Sequence, residues 1–115
     1  MNNDQVILVP RIEFGDGSEN GQVVFFLIYR LHTAPGSQRS IWKPVYKSEI
    51  KYQQPNKRSK PIYIFNQFST LVSDLCGNEE DKEIKIEIFR SQKNGRHQNL
   101  GSVLFTIEDL RNYNN

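Results

Sequence analysis

The sequence predicts an all-β fold, an antiparallel sandwich or small barrel, on three observations. Residues 83–88 alternate polar and apolar side chains without error, the period of a half-buried strand. Residues 23–31 form a continuous apolar run rich in valine and aromatics, too short for a buried helix and preceded by Gly21. Polar, turn-forming connectors separate such runs at short intervals along all 115 residues, a length that suits one domain with a modest core.

Residues 6–14 read as the first strand, with Pro10 implying an edge position or a bulge because it cannot donate to a ladder. Residues 23–31 read as a core strand. Residues 45–50 and 62–69 add two more, 83–88 the half-buried one, and 101–107 a sixth. The connectors are residues 15–22, 33–40, 53–60 and 91–98, the last containing the turn pair Asn94-Gly95. Two short helices are expected, over residues 70–75 ended by Gly77, and over residues 107–113.

Several function classes fall away. The longest unbroken apolar run, residues 23–29, is far below the ~18 residues that a membrane-spanning helix needs. Met1 to Gln5 lack the charged and apolar regions of a leader. A single cysteine, Cys76, excludes an internal disulfide and a cysteine zinc cage, so a reducing, cytoplasmic setting is expected. His32 and His97 lie far apart and belong to no metal-ligand spacing. Cys76 sits between Leu75 and Gly77 with no histidine near it, the setting of a small core residue rather than a nucleophile. Glu79, Glu80 and Asp81 are offset by Lys82 and read as a solvated turn. No phosphate-binding glycine loop or nucleophile elbow is present, and an enzyme is not expected.

The near-neutral net charge of +2 hides an asymmetry. Between residues 39 and 60 stand seven cations, Arg39, Lys43, Lys47, Lys51, Lys57, Arg58 and Lys60, against Glu49 alone. That stretch therefore carries +6 and the remainder of the chain −4. If residues 45–50 form a strand, even spacing places Lys47 and Lys51 on one face with Val45 and Glu49. Trp42, Tyr46, Tyr52 and Tyr63 lie within or beside the stretch. Cations interleaved with aromatics suit an anionic membrane or nucleic acid, the latter on charge alone. They equally suit a solvated lysine-rich edge that discourages aggregation.

The segments PVYKSEIK, IYIFNQFS and LVSDLCGNEEDKEIKIEIFRSQKNGRHQNLGSVLFTIEDL resemble the second C2 domain of copines. Lys47 to Ile50 match its K-T-E-V-like motif, Leu75 to Gly77 its D-L-C-x-G-like segment, and residues 81–88 its D-x-x-I-K-V-E-V strand. Gly95, His97, Leu100 and Gly101 match its Y-D-x-D-x-x-G-x-H-D-x-I-G loop, and FFLIYR its D-P-F-L-E-x-Y-R strand. The resemblance spans roughly residues 6–110 and implies a C2-like antiparallel β-sandwich. It also implies a place in a larger copine-like protein, since the family continues past the position of Leu110 with two more strands that this chain lacks.

The family resembled binds phospholipid through Ca²⁺ held by loop aspartates. Those positions fall here on Val23, Arg90, Gln92 and Gln98, with Asn94 in place of another acid and Asp16 the sole carboxylate left. A Ca²⁺ site needs about six to eight oxygen ligands with several carboxylates among them. No cofactor is therefore expected, and the family's Ca²⁺ binding is expected to be lost. The expected function is peripheral docking on anionic phospholipid through Lys43, Lys47, Lys51, Lys57, Arg58 and Lys60. The alternative is a Ca²⁺-independent protein-interaction module that pairs another chain with an open strand edge.

Overall fold

Antiparallel pairing throughout builds two layers around the apolar run seen in the sequence. The computed structural model describes residues 4–14, 23–52 and 62–113. Its elements are β1 (Gln5–Leu8), β2 (Arg11–Glu13), β3 (Val23–Thr33), β4 (Ser40–Lys47), β5 (Lys51–Tyr52), β6 (Ile62–Ile64) and β7 (Phe68–Leu71). Then follow α1 (Val72–Cys76), β8 (Ile84–Arg90), β9 (Gln98–Phe105) and α2 (Ile107–Tyr113). One layer is a sheet ordered β4-β3-β8-β9, with β5 paired to the start of β3; the other consists of the ladders β1-β7 and β2-β6.

The core is made by alternate residues of the central strand. Val24, Phe26 and Ile28 of β3 are buried with Ile84 of β8, against Tyr63, Phe65, Val72, Leu75 and Cys76 of the second layer and Ile107 of α2. Phe26 meets Phe65 edge to face at 4.8 Å, and Tyr46 stacks on Phe68 at 3.9 Å. Each such aromatic or branched side chain contributes about 1.5–3 kcal/mol by leaving water.

Where elements differ from the sequence reading, hydrogen-bond chemistry explains the change. The strand expected over residues 6–14 is two strands, split around Pro10. Proline keeps its acceptor, taking a bond from the Phe65 N–H at 3.0 Å, but has no donor to return. The strand expected over residues 62–69 likewise divides into β6 and β7. β4 begins at Ser40, ahead of the expected start, and tolerates Pro44 because it is an edge of its sheet. It ends at Lys47, not residue 50, because Ser48 turns inward. The Ser48 N–H donates to the Phe26 carbonyl at 2.9 Å, and Ser48 Oγ accepts from the Phe26 N–H at 2.8 Å. The same hydroxyl donates to the Glu49 carbonyl at 2.8 Å. A buried side chain thus completes the β3 ladder where β4 leaves it.

The helices are fixed by their ends. At α1, Gly77 adopts φ +64 and its N–H donates to the Ser73 carbonyl at 3.0 Å, while Arg30 Nη1 donates to the carbonyls of Ser73 and Asp74, each at 3.3 Å. At α2, Thr106 and Asp109 exchange bonds: the Asp109 N–H donates to Thr106 Oγ1 at 2.9 Å and the Thr106 N–H to Asp109 Oδ2 at 3.1 Å. This is a capping box with aspartate in the usual glutamate position. Arg111 then joins α2 to Glu80 and, at 3.4 Å, to Asp4.

Two stability outcomes follow. Ile84→Ala, at a fully buried position, should lose about 2–5 kcal/mol in urea titration, and Ser48→Ala about 1–3 kcal/mol by orphaning the Phe26 N–H. Ile41→Ala on the exposed edge should change little. Burial, assisted by Glu80, pushes the Cys76 thiol above its ordinary range. The folded state therefore holds that proton more tightly than the unfolded chain. Its contribution to stability is complete below the unfolded thiol range, about pH 8.5, and is lost as pH rises through the folded value. Cys76→Ala should flatten this alkaline loss in a pH series of urea titrations.

Candidate functional site

A strand that is apolar on both faces needs cover on both. Phe25, Leu27, Tyr29 and Leu31 alternate with the core residues of β3 and point to the outer face of the large sheet. The register sets Phe89, Glu87 and Lys85 of β8 beside Phe25, Leu27 and Tyr29, and Lys47 and Trp42 of β4 beside Leu27 and Leu31. Among the described residues no second layer covers this face. Its cover comes from rings and lysine side chains instead.

Phe25 is only 4 % exposed although it lies on the outer side. Phe89 stacks on it at 5.3 Å, His97 meets it edge-on at 5.0 Å, and Lys47 Nζ stands 5.2 Å from its centroid. Further along, Lys85 Nζ lies 4.9 Å from the ring centroids of both Tyr29 and Trp42. It also pairs with Glu87 Oε1 at 2.8 Å. The ammonium groups themselves stand over the rings, Lys85 with only 18 % of its side chain exposed. Each cation–ring contact contributes about 0.5–1 kcal/mol where solvent reaches it. Burial first, and Glu87 second, push the Tyr29 hydroxyl above its ordinary range. The face thus offers fixed cations on a flat aromatic floor, with one carboxylate offsetting Lys85.

The basic stretch does not assemble as a single strand face. Lys47 is opposite Leu27, whereas Lys51 is opposite Val24 in β5, three residues away along β3 and hence on the other side of the sheet. The expected common face of Lys47 and Lys51 is therefore wrong, because the chain leaves the sheet at Ser48 and re-enters at Lys51. Lys51 Nζ lies 3.9 Å from Glu49 and 3.4 Å from Asn66 Oδ1. Lys43 is exposed opposite Arg30, on the side away from Lys47. Lys57, Arg58 and Lys60 lie outside the described residues.

Val23, Arg90 and Gln98, three of the positions expected to correspond to the resembled family's Ca²⁺ ligands, lie beside one another at one end of the large sheet. Arg90 pairs with Val24 and with Gln98, and the Ser91 N–H donates to the Val23 carbonyl at 2.7 Å. Within the adjoining loop the Gln92 N–H donates to His97 Nδ1 at 3.1 Å, and the Arg96 N–H to Asn94 Oδ1 at 2.9 Å. Gly95 turns the loop at φ +79, which suits its place in the Asn94-Gly95 pair. Asp16 lies outside the described residues. Among the described residues no three His, Cys, Asp or Glu side chains are grouped so as to hold a metal ion.

Lys85 and Tyr29 are not singled out in the sequence, and Trp42 only as an aromatic beside the basic stretch. The signal existed: the alternation of residues 83–88 sends Lys85 and Glu87 away from the core, while the run 23–31 has apolar residues on that same side.

No family model matches the sequence, and no curated protein matches it. Among solved structures, BON1-C2B, a copine-family C2 domain, superposes with a TM-score of 0.61 at 16 % identity, covering 96 % of this chain and 70 % of its own. The fold is that of a C2 domain. At that identity the likeness is one of fold, an antiparallel C2 sandwich with few helices. No helix among the described residues is long and apolar enough to cross a membrane.

The outer face of this C2 sandwich makes one direct spectroscopic prediction. Glu87→Gln should move the Tyr29 ionisation downward, toward the free tyrosine range, in a ¹³C-tyrosine NMR titration. An unchanged or higher ionisation would contradict the arrangement described.

Proposed function

We propose that this C2-like domain is a non-catalytic module that docks peripherally on anionic phospholipid surfaces from the cytoplasmic side, without Ca²⁺. The observation that carries the reading is the pair Lys47 and Lys85, held over Phe25, Tyr29 and Trp42 on a sheet face with no layer above it among the described residues. Lys43 and Lys51 of the expected set lie on the other side of the same sheet, which leaves Lys57, Arg58 and Lys60 to complete the proposed basic set with Lys47 and Lys85. Near an anionic leaflet each cation contributes about 1 kcal/mol, falling off within a Debye length. A handful acting together supports millimolar to high micromolar binding, useful beside a second module.

Absence of a Ca²⁺ requirement is supported by the chemistry of the loop end. Arg90, Gln92, Asn94 and Gln98 supply neutral amides and a cation where a divalent site needs several carboxylates. Only Asp16 is acidic among the aligned positions.

Co-sedimentation with phosphatidylserine and phosphoinositide vesicles tests both parts. Binding should persist in chelator and fall steeply from low to physiological salt. Lys47→Ala with Lys85→Ala should weaken it by roughly thirtyfold if each cation contributes as above. Binding that ignores salt, or none at low salt, would overturn the docking proposal. Micromolar-affinity heat on Ca²⁺ titration would overturn the Ca²⁺ part.

A protein-interaction role is the second reading. It is favoured by an apolar trough between the two layers that no described residue covers, on the opposite side of the large sheet from Lys47 and Lys85.

A further inference from the structure

Lys85 occupies a setting that would suit an external ammonium ion. Its Nζ stands 4.9 Å from the ring centroids of both Tyr29 and Trp42 and 2.8 Å from Glu87 Oε1. Two aromatic rings and a carboxylate converging on one ammonium group are the elements of the cages that recognise choline and methylated amines.

The walls of this cage do not depend on the lysine. Tyr29 is on β3 and Trp42 on β4, adjacent strands of the large sheet, and Glu87 is on β8. Glu87 Oε2 accepts from Asn99 Nδ2 at 3.1 Å, and Asn99 Oδ1 accepts from the Gly101 N–H at 2.8 Å. The carboxylate is thus held through one oxygen by β9 and presents the other to the ammonium. Strands fix the three walls. The occupant is the flexible part, a charge on a four-carbon stem. The Lys85 and Glu87 side chains are only 18 % and 19 % exposed. In so sheltered a setting Lys85 cannot leave without cost, because Glu87 would stand beside the rings without a counter-charge.

We propose that Tyr29, Trp42 and Glu87 form an ammonium subsite, filled by Lys85 in the free protein and by the ammonium of a phosphatidylserine headgroup on the membrane. This inference rests on the docking reading and specifies it. The exchange balances in charge. The lipid phosphate draws Lys85 outward, and the lipid ammonium takes its place against Glu87 and the two rings. The net negative charge of the lipid is met by Lys47 on the same face, which has no ion pair among the described residues. An anionic lipid without an amine offers no such exchange: Lys85 either stays with Glu87 or abandons it. A methylated lysine of a protein would suit the rings but brings no phosphate to draw Lys85 out. The subsite therefore selects between headgroups of equal net charge.

Trp42 is the only tryptophan of the chain, so its fluorescence reports on the subsite directly. Vesicles of phosphatidylserine and of phosphatidylglycerol, equal in net charge per lipid, are compared in chelator by co-sedimentation and Trp42 emission. Phosphatidylserine should bind about fivefold more tightly or better, and it alone should shift the emission. Glu87→Gln is near-isosteric and can still accept from Asn99. It should bring the preference toward one while strengthening phosphatidylglycerol binding by up to about fivefold, since Lys85 loses its counter-charge. Equal weakening on both lipids would instead mark Glu87 as structural and overturn the subsite. Without vesicles, tetramethylammonium chloride should shift Trp42 emission at lower concentration in Lys85→Ala than in the unaltered chain, where it must displace the lysine. Sodium chloride at the same concentrations should not. Equal, salt-sensitive binding to both vesicles would overturn the subsite and leave docking standing. No binding to either would overturn docking itself and the lipid as occupant. A tetramethylammonium response without a phosphatidylserine preference would keep the cage but overturn the lipid assignment.

Discussion

Everything in this sandwich depends on β3 being buried from both sides. An eleven-residue strand that pairs with β4, β5 and β8 must supply the core with one set of side chains and still keep the other set from water. Val24, Phe26 and Ile28 meet the first demand in the ordinary way, by packing on a second layer. Phe25, Leu27, Tyr29 and Leu31 have no second layer among the described residues, and the register answers with Phe89, Trp42, Lys47 and Lys85. The cations are thus first a packing solution. Their exposure to an external anion is a consequence of how that face is closed.

The same strand explains the abrupt change of course at Ser48. The Phe26 backbone sits in the centre of the molecule, where an unmatched N–H costs about 1–3 kcal/mol. β4 could continue and satisfy it, but Ser48 does so with its hydroxyl and frees the chain to turn. That turn decides which lysines share a surface. At the far end of β3 Arg30 emerges from the core side and closes α1 through the carbonyls of Ser73 and Asp74. A strand with an arginine in its inner row therefore positions a helix rather than presenting a charge.

Much of this was legible in residue pattern. The clean alternation of residues 83–88, the apolar run after Gly21, Gly77 as a helix stop and Asn94-Gly95 as a turn each had a local physical cause, and each sits where that cause puts it. The short second-layer strands were blurred, because Pro10 breaks a ladder in a way that composition does not locate. The lysine face was misread for a different reason. Parity along a sequence is preserved only while the chain stays in one strand, and the Ser48–Phe26 bonds lie far apart in sequence. The Lys85 cluster joins three strands, so its members could be listed from periodicity but not brought together without the register.

Net charge is a poor guide to such a domain, and the structure shows why. The +6 of residues 39–60 is not one patch, since Lys43, Lys47 and Lys51 leave the sheet on different sides. What matters is which cations lack a near counter-charge on a solvent-facing surface. Lys51 has Glu49 and Lys85 has Glu87, whereas Lys47 faces a ring alone among the ion pairs and ring contacts described. An anionic surface approaching the outer face thus meets Lys47 at little cost and must compete with Glu87 for Lys85. That makes electrostatic attachment weak and reversible by construction.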